Sequence, residues 1–358
     1  MRFHRPALAL SLALCAGSVA AEELTWKEAN RRSAEELRAD HLRKGAEYAR
    51  KAFDLYAAQA PGYSVETHAQ LLLNVVDARR RAEKTPAALK ELDRGVEKIQ
   101  EKAGAEAPTL IALWDEGARI SSWVEGPATD RYFGKAIALA ERLWGADDVR
   151  TIALHARWGR DASFWKGSEW SRAKLNWARE RASVIAGGKD LVFDIDLHLA
   201  KLELEDGHHE RGISMLRALL AANEAAEDAR RPRRQQTLLG HLELAYAKAG
   251  DKARAAQMRA QRIAALGSAK ELDVVQRVQP KYPMDALRVG AQGSVILQLS
   301  IGADGTVTDA RVVAATPEGV FEESALSAVQ KWKFRPKVVD GKPVPSSGLQ
   351  VITYHMAR

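Results

Sequence analysis

Few side chains in this sequence have a claim to chemistry. His208-His209, with His198 ten residues earlier, gathers metal-binding residue types, yet no Cys pair or His-Glu-x-x-His motif stands nearby to converge on an ion. The pair reads as part of a surface turn. Ser171-Arg-Ala-Lys174 has the Ser-x-x-Lys spacing of an acyl-transfer nucleophile and its base, but no Ser-Asp-Asn or Lys-Thr-Gly segment follows. Nucleophile elbows and glycine-rich phosphate loops are also missing from the sequence. Asp304 and Asp309 flank a turn and lack the further oxygen ligands of a calcium loop. The single Cys, Cys15, excludes a disulfide scaffold and any thiolate zinc or iron–sulfur site. The expectation is a non-enzymatic protein with no catalytic residue, no metal and no cofactor.

Function must then come from surfaces, and the elements that would present them can be read from pattern. The chain has 358 residues, 46% hydrophobic and 28% charged, which is globular and too long for one core. Its net charge of +7 arises from 54 basic and 47 acidic residues. That balance describes a mixed-sign surface and no nucleic-acid partner. Residues 1–21 have the order of an export signal: basic Met1–Arg5, apolar Pro6–Ala16, then small residues ending at Ala21. The alternative is an uncleaved inner-membrane anchor, although this apolar run is short for a hydrocarbon core of ~30 Å.

Residues 22–268 carry apolar side chains at helical spacing. Leu89, Leu92, Val96 and Ile99 form one stripe, Leu110, Leu113, Gly117 and Ile120 another, and Leu238, Leu242, Ala245 and Ala249 a third. Turn signals at Lys84, Gly126, Gly167, Gly207 and Gly250 recur every 40 to 43 residues. Each precedes a helix with a small residue for close helix approach: Ala88, Ala136, Ala173, Gly212 or Ala253. Seven of the nine Trp lie between Trp114 and Trp177, at spacings that favour packing between repeats over an open aromatic groove. Arg79-Arg80-Arg81 and the Arg230–Arg234 group read as solvated faces.

From residue 269 the period changes. Tyr282-Pro283 breaks the chain before a short helix, Met284 to Val289. Ser294–Ile301 alternates, Asp304-Gly305 signals a hairpin, and Thr306–Ala314 alternates again. A helix over Glu322–Trp332 and a last strand over Leu349–Met356 complete a ββαβ order. Trp332 and Phe334 would plug the helix onto the sheet, Pro336 would stop strand pairing, and Gly293 and Gly305 would serve turns.

Two resemblances follow from these residues. Leu202–Ile213 and Leu244–Ala255 resemble the centre of a tetratricopeptide repeat, at a period longer than the usual ~34 residues. Tyr282-Pro283, Gly293, Asp304-Gly305, Pro317, Phe321, Ala325, Ala328, Trp332-Lys-Phe334-Arg-Pro336 and Gly341-Lys-Pro343 together resemble the C-terminal domain of the TonB family. The fold class expected is α+β multidomain: an all-α tetratricopeptide-like solenoid over 22–268, then a small TonB-like ββαβ domain over 269–358.

The TonB resemblance implies recognition of an extended peptide of an outer-membrane transporter by β-strand addition. The edge would be Leu349, Gln350, Val351, Ile352, Thr353, Tyr354 and His355, with Tyr282, Pro283, Asp285 and Leu287 close to the partner. The same edge could instead close a homodimer. The family's transducers carry an apolar membrane helix containing a His and a Pro-rich spacer. This chain has a short apolar run without His, and helical repeats where the spacer would be. The leading expectation is therefore a periplasmic binding protein whose repeats hold a further protein or peptide. The alternatives are a membrane-anchored energy transducer and a peptidoglycan-associated structural protein, the latter touching the wall through the basic group Lys331, Lys333, Arg335, Lys337 and Lys342.

Overall fold

The computed structural model describes residues 24–59, 62–83, 85–122, 124–225, 230–265, 272–288, 290–316 and 319–354. The expected export segment 1–21, the boundary at 268/269, Lys84, Trp123, Pro317 and His355 lie outside them. The chain falls into two compact units, residues 1–99 and 100–358.

Thirteen helices come first among the described residues. They are α1 (Trp26–Arg38), α2 (Leu42–Gln59), α3 (Val65–Ala82), α4 (Thr85–Ala103), α5 (Thr109–Ser121), α6 (Gly126–Trp144) and α7 (Val149–Asp161). A single turn, α8 (Ser163–Lys166), leads to α9 (Ser168–Val184), α10 (Lys189–Glu205), α11 (His209–Glu224), α12 (Arg231–Lys248) and α13 (Lys252–Ala264). Side chains that accept from otherwise orphaned amides start several of these. Thr25 caps α1, Ser64 caps α3, Asp148 caps α7 and Asp251 caps α13.

The pairs α1–α2, α2–α3, α5–α6, α7–α9, α10–α11 and α12–α13 pack on one another in the tetratricopeptide-like manner, and the periodic turns at Gly126, Gly167, Gly207 and Gly250 fall inside the last four of these pairs. Gly207 and Gly250 hold φ of 88° and 83°, a region L side chains avoid. The apolar stripes are buried as expected, except Ala249, which is exposed. Two small-residue positions need correction. Ala173 and Ala253 are exposed, while Ser171 and Ala255, two residues away, are buried. Two residues turn a helix by about 200°, so the expected positions fall on the opposite face.

The C-terminal part holds β1 (Val274–Gln276), α14 (Met284–Arg288), β2 (Gly293–Ile301), β3 (Val307–Thr316), α15 (Glu322–Val329), β4 (Lys333–Phe334), β5 (Lys337–Val339), β6 (Lys342–Val344) and β7 (Ser346–Tyr354). The ββαβ order stands in β2, β3, α15 and β7. A three-stranded antiparallel sheet runs β3-β2-β7. Two small ladders, β1-β4 and β5-β6, are additional to the elements expected. The helix stops at Val329, short of Trp332, and the last strand begins at Ser346. Val295, Leu297, Leu299 and Ile301 on one face of β2 form the core with Phe321, Ala325, Val329, Trp332 and Phe334. Alternation drives this layer, because only one face of the sheet meets α15.

Candidate functional site

The sheet has two edges, β3 and β7, and the chain treats them differently. Gln350, Ile352 and Tyr354 of β7 lie opposite Leu297, Val295 and Gly293 of β2 and share the α15 face. Leu349, Val351 and Thr353 lie on the other face.

Backbone direction alternates with the same period. The Leu349 carbonyl accepts from the Leu272 amide at 3.3 Å, so it points away from β2. In an antiparallel ladder residues two apart point the same way. The main-chain groups of Val351 and Thr353 therefore face outward, and those of Gln350 and Ile352 bond to β2. The Gln350 side-chain amide donates to the Val351 carbonyl at 3.1 Å. That self-bond caps one outward acceptor with a group that can be displaced.

Aromatic residues fix the far end of β7. The Tyr354 ring stacks on Phe321 at 4.3 Å, and Tyr282 meets both rings edge-on, 5.8 Å from Tyr354 and 5.6 Å from Phe321. Tyr354 donates to Ser324 Oγ at 3.0 Å, and Tyr282 donates to the Ala291 carbonyl. Burial pushes both phenols above their ordinary range, so both stay protonated donors at neutral pH. Pro283 then turns the chain into α14, which leaves Met284 and Leu287 exposed. The structure thus brings Tyr282 to the end of the predicted edge. Nothing is described for the side chain of Asp285.

The signature positions have mechanical roles. Gly293 stands in β2 opposite Tyr354 and serves no turn; glycine is needed there because a Cβ would sit 2.4 Å from the Thr316 carbonyl oxygen and 2.5 Å from the Phe321 ring. Gly305, at φ 81°, lets its carbonyl accept from the Phe334 amide at 2.9 Å. Trp332 is buried and donates its indole N–H to the Val278 carbonyl at 2.7 Å. Pro336 separates β4 from β5.

The other candidates are consumed by structure. His208 pairs with Glu203 at 2.9 Å, and the described residues contain no group of three or more potential metal ligands from His, Cys, Asp and Glu. Ser171 donates to the Gly159 carbonyl, while Lys174 lies over Trp158 at 4.9 Å and Trp177 at 5.3 Å. Arg150 over Trp144 (3.9 Å) and Arg181 over Trp177 (4.2 Å) complete a set of indoles covered by the protein's own cations. Most of these Trp are half-buried; Trp114 is buried. In the arginine groups Arg79 pairs with Glu83, Arg80 with Asp77, and Arg230 and Arg234 with Asp190.

Sequence reasoning missed the contact between the last helix pair and the sheet. Arg262, on α13, is fully buried, and its only advance signal was Gly240 inside the α12 stripe.

Residues 278–356 match the family model for the C-terminal region of the Gram-negative bacterial TonB protein. This segment is a TonB C-terminal domain. The TonB protein of Vibrio cholerae is 34% identical over 71 residues, 20% of this chain and 29% of that protein. TonB of Xanthomonas campestris is 34% identical over 77 residues, 22% of this chain and 34% of that protein. The chain thus spans about a third or less of the length of these relatives. The solution structure of the Pseudomonas aeruginosa TonB C-terminal domain aligns at 25% identity over 26% of this chain and 93% of that one, with a TM-score of 0.22. The helical part aligns with BtubC of P. vanneervenii at 13% identity over 72% of this chain and 98% of that one, TM-score 0.46. Among the described residues no helix is long and apolar enough to cross a membrane.

Proposed function

We propose that this protein is a non-enzymatic, exported, periplasmic binding protein of TonB type. Its C-terminal domain takes an extended peptide of an outer-membrane transporter as an added strand along β7, and its helical repeats serve as an interaction scaffold. The observation that carries this reading is the outward-facing backbone of Val351 and Thr353 at the edge of a well-packed sheet. A guest strand gains main-chain hydrogen bonds there, each worth about 0.5–1.5 kcal/mol net. The guest displaces the Gln350 amide from the Val351 carbonyl. The exposed Met284 and Leu287, next in sequence after Tyr282-Pro283, offer apolar contact beyond the backbone.

The test uses Val351→Pro in the full chain. Proline removes one outward N–H and no bond to β2, so the sheet survives while the guest loses a donor and meets the ring. Calorimetry with synthetic peptides from the N-terminal segments of outer-membrane transporters should give binding to the wild type. The variant should bind about tenfold more weakly or worse. Equal affinity for both chains would remove β7 as the site. Self-association abolished by the same substitution, without peptide binding, would assign the edge to a homodimer.

A further inference from the structure

The sheet face opposite α15 does not meet water along its whole width. Ser294, Ile296 and Thr316 on that face are each no more than 1% exposed. What covers them is the last helix pair. On α12, a Cβ at Gly240 would stand 2.4 Å from Thr316 Oγ1 and 3.2 Å from the Arg262 guanidinium carbon, so the helix backbone approaches the sheet as closely as glycine allows. From α13, Arg262 sends Nη1 to Glu243 at 2.8 Å and to Ser294 Oγ at 3.0 Å, while its own carbonyl accepts from Gln236 at 3.0 Å. Arg259 donates to the second oxygen of Glu243 at 2.7 Å. A charge buried this deeply gives little net stability against an apolar replacement, but it fixes position, since losing its partner leaves it stranded.

We propose that α12 and α13 form an internal docking platform for the C-terminal sheet, with Arg262 as the positioning residue and Gly240 as the contact that admits it. The platform meets β3 at Thr316 and β2 at Ser294. Ser294 is the cross-strand neighbour of Thr353, so the docked position lies one strand, about 4.8 Å, from the outward edge. Helices α12 and α13 and the C-terminal sheet therefore move as one body.

A protease site introduced between residues 266 and 271 tests this in the folded full chain. After cleavage, the C-terminal fragment should stay with the array through gel filtration at micromolar concentration. Arg262→Met should weaken that association at least ~100-fold, because it leaves one buried Glu243 oxygen without its donor and removes the bond to Ser294. Gly240→Leu attacks the same contact from the other helix and keeps the test valid if Arg262→Met fails to fold. Arg254→Met, at an exposed pair on α13, should leave co-elution intact. Separation of the wild-type fragments would overturn the platform, as would co-elution that survives both Arg262→Met and Gly240→Leu. No peptide enters this experiment, so its outcome is independent of the β7 reading.

Discussion

His241 shows how one side chain can report on the state of the docking platform. Burial first, then the nearby Lys201 and Arg262, lowers its pKa from 6.5 to about 3. The folded protein holds this imidazole neutral, whereas the unfolded chain protonates it below pH 6.5. Between those two values the unfolded state binds the extra proton, so stability falls as the pH falls. The loss approaches about 1.4 kcal/mol per pH unit for this group alone. His198 is shifted in the same direction, by burial and then by Lys201, Arg160 and His241. Urea unfolding should therefore show a clear drop from pH 7 to pH 5, and His241→Gln should flatten it. Parallel slopes in the two proteins would dismiss His241 as the source. None of this was legible in the sequence. A histidine inside an amphipathic stripe carries no mark of which cations a neighbouring helix will bring to it.

Elements were more legible than residues, and for a physical reason. Helix stripes and strand alternation record burial on one face, so the repeats and the β2–β3 hairpin could be read directly. The turns at Gly167, Gly207 and Gly250 were legible because glycine at positive φ is a local requirement. What failed were rotations: Ala173 and Ala253 sit two residues from the buried positions, and only packing sets a helix's phase. The small β1-β4 and β5-β6 ladders also escaped, because strands of two or three residues have no period to read. The β7 edge was half legible, since alternation gives its faces while the outward direction of its amides needs the neighbouring strand. Close packing within the sheet layer makes its own prediction. Gly293→Ala forces a methyl group against the Thr316 carbonyl and the Phe321 ring. Overpacking of this kind costs about 1–3 kcal/mol. Chemical denaturation of the full chain should register that loss in the C-terminal fluorophores, and an unchanged midpoint would refute the tight contact.

At the scale of the molecule, the proposed task depends on where the chain is delivered. An exported protein should lose its first 21 residues, so intact-mass measurement of the envelope fraction should return a chain beginning at Glu22. A mass that retains Met1 or Arg2 would favour the anchored transducer instead. Either outcome leaves the C-terminal domain as described, because its core is built wholly from residues after Leu272. The TonB family model matches residues 278–356, within that domain. Whether the helical part binds anything is a separate question, to be asked by experiment on its own surface.

The hydrogen bond from Leu272 to Leu349 bears on how a visitor would be measured. The segment that leads into the sheet already occupies the margin at Leu349, and it behaves there like the closed end of a slot. On the strand-addition proposal, Leu272 would halt a ligand strand at that end and so set its pairing frame without any need to recognise its side chains. Shortening a guest at the halted end should therefore cost binding at once, while trimming its trailing end should be tolerated.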